Sequence, residues 1–108
     1  MIRVIEVSLI GHHKVNGIFV DKKKFIVLKG SEFSQEVKKS CPMGIREIRD
    51  NLIKTKKVEN GIFVEDVIFT SPSYAASVCV GRTGNGLKCW ENVDNVRLGS
   101  LLEQYRRK

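Results

Sequence analysis

Several residue patterns that usually reveal a function are missing from this sequence. Its 108 residues include only three cysteines and two histidines, and no two cysteines have the CxxC spacing. An odd number of cysteines without that spacing argues against a disulfide framework and a zinc site, and predicts free, mostly buried thiols. No apolar run approaches the roughly 20 residues that cross a bilayer. The function must therefore be sought outside metal, disulfide and membrane motifs.

The N-terminus lacks the apolar centre of a signal peptide. From Met1 to Val7 it alternates apolar residues with Arg3 and Glu6, which predicts a cytoplasmic protein without membrane association. A chain of 108 residues suits one domain with a modest two-layer core. The hydrophobic share of 42% and the charged share of 29% are typical of soluble globular proteins.

Catalytic constellations are missing as well. The adjacent His12 and His13 would point to opposite faces of a strand, so they cannot easily share a metal ion. No histidine lies near Ser71 or Ser73 in the sequence to complete a catalytic triad. The glycine-rich segment 81–86 follows a predicted helix, whereas a Walker loop joins a strand to a helix. We therefore predict a protein that is not an enzyme and uses neither cofactor nor metal.

The segment from Phe69 to Trp90 carries the strongest local signals. The hydroxyl of Ser71 is placed to cap a helix, and Pro72 fits the first helical position because its missing N–H is not needed there. Gly81 suits the left-handed position that follows the last residue of a helix. These residues together predict a short helix between Ser71 and Gly81.

A turn and a strand are predicted after this helix. Asn85 and Gly86 both tolerate positive φ, and the run 87–90 has the pattern of a strand that leaves such a turn. Arg82, Asn85 and Lys88 are then expected to lie close together around the turn.

Alternating apolar residues predict that the rest of the chain forms a mostly antiparallel sheet. Ile2 to Ile10 has the period of a strand, interrupted after Ile10 by a break at 11–14. The runs 16–20 and 25–28 flank a polar connection and predict a hairpin. The letters Asn-Gly-Ile-Phe-Val recur at 60–64, and with the run 67–70 they predict a second hairpin of similar design.

Two more helices are predicted from apolar residues at helical spacing. The first opens near Pro42 and places Ile45, Ile48 and Leu52 on one face, with Arg49 off that face, toward solvent or the helix flanks. The second closes the chain with Leu98, Leu101 and Leu102, and Trp90 is expected to anchor the core. The predicted fold class is α+β, a small mostly antiparallel sheet with two or three helices packed on one side.

The basic charge is the main indication of a partner. Nineteen Lys and Arg against twelve Asp and Glu give a net charge of +7 and a pI near 9.5. Such an excess favours anionic partners, nucleic acid above all, and it equally keeps a small domain in solution. The basic residues gather in four clusters at predicted turns and termini: Lys22 to Lys24, Lys38 with Lys39, Lys54 with Lys56 and Lys57, and Arg106 to Lys108.

A series of motifs resembles a known family. The series comprises Val27-Leu-Lys-Gly-Ser31, Ile48-Arg-Asp-Asn-Leu52, Phe69-Thr-Ser-Pro-Ser-Tyr-Ala-Ala76, Gly81-Arg-Thr-Gly-Asn-Gly86 and Trp90. It is similar to an uncharacterised small domain found at the C-terminus of GIY-YIG nucleases and in proteins accompanying restriction and modification systems, itself similar to adenine-methylase-associated domains. The resemblance implies an N-terminal strand extension at 1–14, a single α+β domain at 15–102 and a basic tail at 103–108.

The resemblance also implies a function. Such a module accompanies DNA-processing enzymes without being their catalytic part, and nucleic acid, DNA before RNA, is the expected ligand. Arginine and asparagine contact phosphates or base edges, and capped helix starts hold phosphate. The residues carried over are Lys29, Ser31, Arg49, Ser71, Ser73, Arg82, Asn85 and Lys88. The alternative is a protein-interaction domain or a homodimer, joined through an exposed edge strand such as Ile2 to Ile10.

Overall fold

The computed structural model describes residues 4–106 of the chain. Ile2 and Arg3, at the start of the predicted first strand, and Arg107 and Lys108, in the predicted basic tail, lie outside the described residues. In chain order the elements are β1 (Ile5–Leu9), β2 (His12–Asp21), β3 (Lys24–Val27), α1 (Met43–Lys54), β4 (Val58–Glu59), β5 (Ile62–Phe63), β6 (Val67–Phe69), α2 (Pro72–Val80), α3 (Gly86–Cys89), β7 (Trp90–Glu91) and α4 (Leu98–Arg106).

Five strands form the main sheet in the order β6-β3-β2-β1-β7, and every neighbouring pair is antiparallel. Successive side chains of a strand point to opposite faces of the sheet, so every second one lies on the inner face. On this face apolar residues of neighbouring strands lie opposite one another. One such row is Ile5, Phe19, Phe25 and Phe69. The predicted fold class, α+β with a mostly antiparallel sheet, is confirmed, with four helices in the described chain.

The core lies between this inner face and the helices. Phe25, Val78, Trp90 and Leu98 are completely buried, and they come from β3, α2, β7 and α4. The Trp90 ring lies with its centroid 4.6 Å from that of Phe25, and its indole Nε1 donates a hydrogen bond of 3.0 Å to the Pro72 carbonyl. The expectation that Trp90 anchors the core is confirmed.

The first hairpin is confirmed with a shorter connection. β2 begins at His12, immediately after a Gly11 with φ of 80°, and continues to Asp21, so the predicted break at 11–14 narrows to a tight turn. β3 begins at Lys24, which leaves Lys22 and Lys23 between the strands. The side chain of Asp21 accepts a hydrogen bond from the Lys23 N–H at 2.7 Å and supports this turn.

The second predicted hairpin is wrong in its pairing. β5 pairs with β4, which precedes it, and the turn between them is Asn60-Gly61 with φ values of 53° and 74°. Positive φ at both positions is typical of the two-residue hairpin turn that Asn-Gly favours. Such a turn pairs the two strands that flank it directly, which here are β4 and β5. β6 instead pairs with β3 at the edge of the main sheet.

The helices around the core follow their predicted signals, with one exception. α2 begins after the Ser71 cap, whose hydroxyl accepts from the Tyr74 N–H at 3.1 Å, and Gly81 ends it at φ of 70°. α1 and α4 lie where the apolar spacing predicts them. The exception is the predicted strand 87–90, which forms the single-turn helix α3 and then the two-residue strand β7.

All three cysteines are free thiols, as predicted, with Cys41 and Cys79 buried and Cys89 half-buried. None of the helices described between residues 4 and 106 combines the length and apolar character needed to cross a membrane.

Candidate functional site

The connection between α2 and α3 is held in place by two serine hydroxyls of α2. The Ser77 Oγ accepts a hydrogen bond from the Gly84 N–H, and the Ser73 Oγ accepts one from the Gly86 N–H, each at 2.9 Å. Ser77 is buried, so its hydroxyl is satisfied inside the protein. Two backbone donors of the loop are thereby fixed to a helix, which makes the segment 81–86 a rigid wall.

Asn85 fixes the start of α3. Its side-chain Oδ1 accepts a hydrogen bond from the Leu87 N–H at 3.0 Å, and its backbone is extended, with φ of −102° and ψ of 107°. This is the geometry of a helix cap, and it explains why the chain coils after Asn85 instead of forming a strand. Lys88 is therefore presented from a helical turn beside Arg82 of the preceding loop.

A cleft of about 320 Å³ lies against this loop. Four basic side chains line it: Arg82, Lys88, Arg97 and His12. No carboxylate belongs to the described residues around it. The rest of the lining is mostly small or apolar, namely Leu9, Ile10, Ala76, Val80, Thr83, Gly84, Asn85 and Cys89. The cleft has a cationic rim over an apolar floor.

The cations of the cleft are not neutralised from elsewhere in the described chain. Among the side chains that the structure describes, the one ion pair joins Lys14 to Glu32, at 3.8 Å on an exposed surface. Like charges gathered without counter-charges repel one another, and an anion that binds among them relieves that repulsion. The cleft is therefore electrostatically suited to a phosphate-bearing ligand.

A second basic cluster, Lys38 with Lys39, is joined to Gly81 through the backbone. The Lys38 N–H donates a hydrogen bond of 3.0 Å to the Gly81 carbonyl, so Lys38 and Lys39 adjoin the residue that precedes Arg82. Arg46 holds this segment by donating to the carbonyls of Lys38 and Lys39 at 2.9 and 3.2 Å. Lysines distant in sequence are thus brought to the border of the cleft.

The structure brings together three of the eight residues predicted for the site. Arg82, Asn85 and Lys88 line the cleft. Ser71 and Ser73 stand at the start of the adjacent helix, where their hydroxyls accept backbone hydrogen bonds. Lys29 is exposed elsewhere, and its N–H donates to Asp66 at 2.7 Å.

The other two predicted residues lie inside the protein. Ser31 is 1% exposed, and its hydroxyl exchanges hydrogen bonds with the backbone of Asn16. Arg49 is 3% exposed, so of the two predicted directions, solvent and the helix flanks, solvent is wrong. Its guanidinium donates to the carbonyls of Val78 and Ser34 and lies 3.9 Å from the centre of the Phe33 ring.

Burial of Arg49 has an electrostatic consequence. Loss of solvent lowers the pKa of the guanidinium, an effect opposed by the nearby Cys41, Cys79 and Asp50. The side chain still carries its charge at any physiological pH because the pKa of an arginine starts so high. Arg49 therefore acts as a buried cation that joins α1 to the end of α2.

His12 and Arg97 belong to the cleft and were not predicted from the sequence. His12 follows the turn between β1 and β2, and Arg97 precedes α4 and bridges to Glu91 through its backbone. They come from opposite ends of the chain, and the pairing of β1 with β7 helps to draw those ends together. No local sequence signal reports this proximity.

The buried thiol of Cys79 gives a prediction for stability against pH. Burial raises its pKa to about 12, partly offset by the charge of Arg49, whereas a thiol in an unfolded chain ionises near about 8.5. Between these values the folded state holds the extra proton, so the free energy of unfolding falls as pH rises, by at most about 1.4 kcal/mol per pH unit. Below the lower value the thiol is protonated in both states and contributes no pH dependence.

Urea unfolding at pH 8 and at pH 10.5 tests this, with Cys79→Val as the comparison. The wild-type protein should lose more stability than the variant between the two pH values, because valine has no proton to lose. Equal losses in both proteins would show that Cys79 ionises normally when folded.

Comparisons with known proteins give one match. A family model described as a domain of unknown function, DUF4357, matches residues 10–102. No curated protein and no solved structure matches the chain.

Proposed function

Since the chain belongs to the DUF4357 family, a domain of unknown function that covers residues 10–102, we propose its function from the chemistry of the cleft: it is a non-catalytic module that binds nucleic acid. DNA is proposed before RNA, and the module is proposed to serve DNA processing or restriction and modification. That last step rests on the resemblance of its motifs to domains that accompany such enzymes.

The observation that carries the proposal is the convergence of Arg82, Lys88 and Arg97 on one cleft without a carboxylate in its described lining. Lysine and arginine side chains that contact phosphate supply most of the affinity in binding that does not depend on sequence. Arg82 and Lys88 flank a loop whose backbone is already fixed, so that backbone does not have to be ordered when they bind.

The adjoining cluster at Lys38 and Lys39 supports an extended ligand. A single phosphate would be held within the cleft, whereas a polymer of phosphates also benefits from charge along its path. Lys38 is tied by its backbone to Gly81, the residue that precedes Arg82 of the cleft. A polyanion that leaves the cleft on this side therefore meets two further cations.

A pair of matched double variants tests the proposal. Arg82→Ala with Lys88→Ala should weaken binding of labelled oligonucleotides by about 10- to 100-fold, because each of two solvent-exposed phosphate contacts contributes a net of about 0.5 to 1.5 kcal/mol. Fluorescence anisotropy at fixed salt measures the dissociation constants. The control is Lys22→Ala with Lys23→Ala, which removes the same charge from the exposed turn between β2 and β3.

The control variant should bind like the wild-type protein. An equal loss of affinity in both double variants would mean that net charge alone attracts the nucleic acid and would remove the cleft from the proposal. A wild-type protein that binds no oligonucleotide would end it.

A homodimer is the second candidate, and one feature of the sheet favours it. β7 pairs with β1 only at Ser8 and Leu9, so in the described part of the chain no strand covers that edge of β1 over 5–7. The outer face of the sheet carries a row that runs from β1 to the opposite edge strand β6, namely Glu6, Ile18, Ile26 and Ile68, of which Ile68 on β6 is 62% exposed. Unpaired edges and apolar faces favour association. The mass of the protein in solution, measured by light scattering, decides between a monomer and a dimer.

A further inference from the structure

We infer that the cleft receives one nucleotide of a single strand, with its base on the apolar floor and its neighbouring phosphates on the cationic rim. This inference rests on the proposed function and narrows it to single-stranded DNA or RNA. The two share the chemistry that the cleft recognises, and the experiment below separates them.

The shape of the site favours a single strand. The cleft is a recess of about 320 Å³, bounded on one side by the loop 81–86 and on another by Ile10 and His12. Duplex DNA is usually read by an element that projects into its major groove, about 12 Å wide. A recess does the reverse, because it accepts something that projects from the ligand. In a duplex the bases are stacked inside, whereas a single strand can extend one base outward.

The cleft has separate surfaces for the two chemical parts of a nucleotide, an apolar floor for the base and a cationic rim for the phosphates. Leu9 and Ala76 are buried at the floor, and Val80 and Cys89 are half-buried beside them. Apolar contact with the faces of a base is favourable for every base, whereas charged phosphates require the rim. A ligand that carried only phosphates would leave the apolar floor unused.

The composition of the floor also predicts how strongly the site discriminates among the bases. No Phe, Tyr or Trp belongs to the described lining, in which His12 is the one aromatic ring, so the large stacking platform of many single-strand binders is missing. Affinity should therefore come mainly from charge, with modest preference among bases. Rigidity of the wall preserves the recess, because Ser73 and Ser77 fix the loop through Gly86 and Gly84.

Cys89 allows the floor to be blocked without any change of charge. Its thiol is half-buried in the cleft lining, whereas Cys41 and Cys79 are buried, and burial raises the pKa of Cys79 to about 12. A methanethiosulfonate reagent should therefore modify Cys89 first, since the thiolate is the reactive form. Benzyl methanethiosulfonate places a bulky neutral group on the floor, and a reductant removes it again.

The experiment compares four ligands of one sequence: an eight-nucleotide DNA strand, the same strand as RNA, and the DNA and RNA duplexes. Each is titrated with untreated protein, with benzyl-modified protein and with modified protein after reduction. Circular dichroism confirms that the modified protein is folded. Cys89→Ser, treated in the same way, controls for modification elsewhere.

The expected result is binding of a single strand at least 10-fold tighter than its duplex, a loss of that preference on modification, and recovery on reduction. The two sugar forms identify which polymer is favoured. Duplex binding as tight as single-strand binding, or single-strand binding that survives modification, overturns the inference and leaves the proposed function standing. Binding to none of the four ligands overturns both.

Discussion

Arg49→Leu is expected to lower the free energy of unfolding by about 2 to 5 kcal/mol, because it leaves the buried carbonyl of Val78 and the half-buried carbonyl of Ser34 without a donor. The leucine replaces the apolar stem of the arginine and its contact with Phe33 in part, so the loss reports mainly on the missing hydrogen bonds. Arg49→Lys should lie between, since a lysine keeps the charge but cannot present two forked donors. Urea unfolding measures all three proteins.

Arg46→Leu is the matched control for Arg49→Leu. Arg46 belongs to the same helix and also donates to backbone carbonyls, those of Lys38, Lys39 and Cys41. It is only half-buried, so water can replace the lost donor and the expected loss is below about 1.5 kcal/mol. A loss of similar size in both variants would contradict a special role for the buried guanidinium.

Gly86→Ala is expected to destabilise the protein by about 3 kcal/mol, the upper end of the usual range for overpacking. A Cβ atom at this position would lie 2.4 Å from the Ser73 nitrogen and 2.5 Å from the Pro72 carbonyl carbon. Both are backbone atoms at the start of α2, so neither can rotate away. The helix α3 must therefore move, and Lys88 moves with it.

Thermal and urea unfolding measure the loss, and Gly84→Ala is the control. A Cβ atom at Gly84 meets the Ala76 side chain at 3.3 Å, which a small shift relieves. Gly84→Ala should be the milder change of the two. If Gly86→Ala were as stable as the wild-type protein, the close approach of α3 to the start of α2 would be refuted.

Local signals in the sequence were sufficient where one residue determines a backbone conformation. Ser71, Pro72 and Gly81 each act within one turn of the chain, and α2 begins and ends where they predict. Asn-Gly at 60–61 correctly marks a tight turn, yet a turn signal does not say which flanking segments pair across it. The strand that follows was therefore assigned to the wrong partner.

The last Asn-Gly of the chain, at 85–86, shows that long-range packing can determine the local backbone conformation. Asn85 and Gly86 have the same letters as 60–61, but Gly86 has no positive φ and packs against the backbone of Pro72 and Ser73. Glycine is required at 86 because the backbone of Pro72 and Ser73 leaves no space for a Cβ atom. The sequence alone does not show that these residues lie next to Gly86. Arg49 is a similar case, because its burial is caused by carbonyls of Val78 and Ser34 that lie far from it in the chain.

The candidate site was predictable only in its continuous part. Arg82, Asn85 and Lys88 come from one short segment, so their proximity follows from the chain itself. His12 and Arg97 reach the same cleft through the sheet, where β1 pairs with both β2 and β7. The net charge of +7 indicates that an anionic partner is favoured. It does not show which of the nineteen Lys and Arg side chains contact that partner.

The salt dependence of binding shows whether Arg82 and Lys88 contact the phosphates of a nucleic acid. The wild-type protein and the variant Arg82→Ala with Lys88→Ala are titrated with the same DNA strand at a series of salt concentrations. Each phosphate contact on a single strand contributes about 0.7 to the slope of log K against log salt. If both side chains contact phosphates, the slope should therefore be shallower by about 1.4 in the variant than in the wild-type protein. Identical slopes would mean that neither side chain contacts a phosphate, and the cleft would not be the nucleic-acid site.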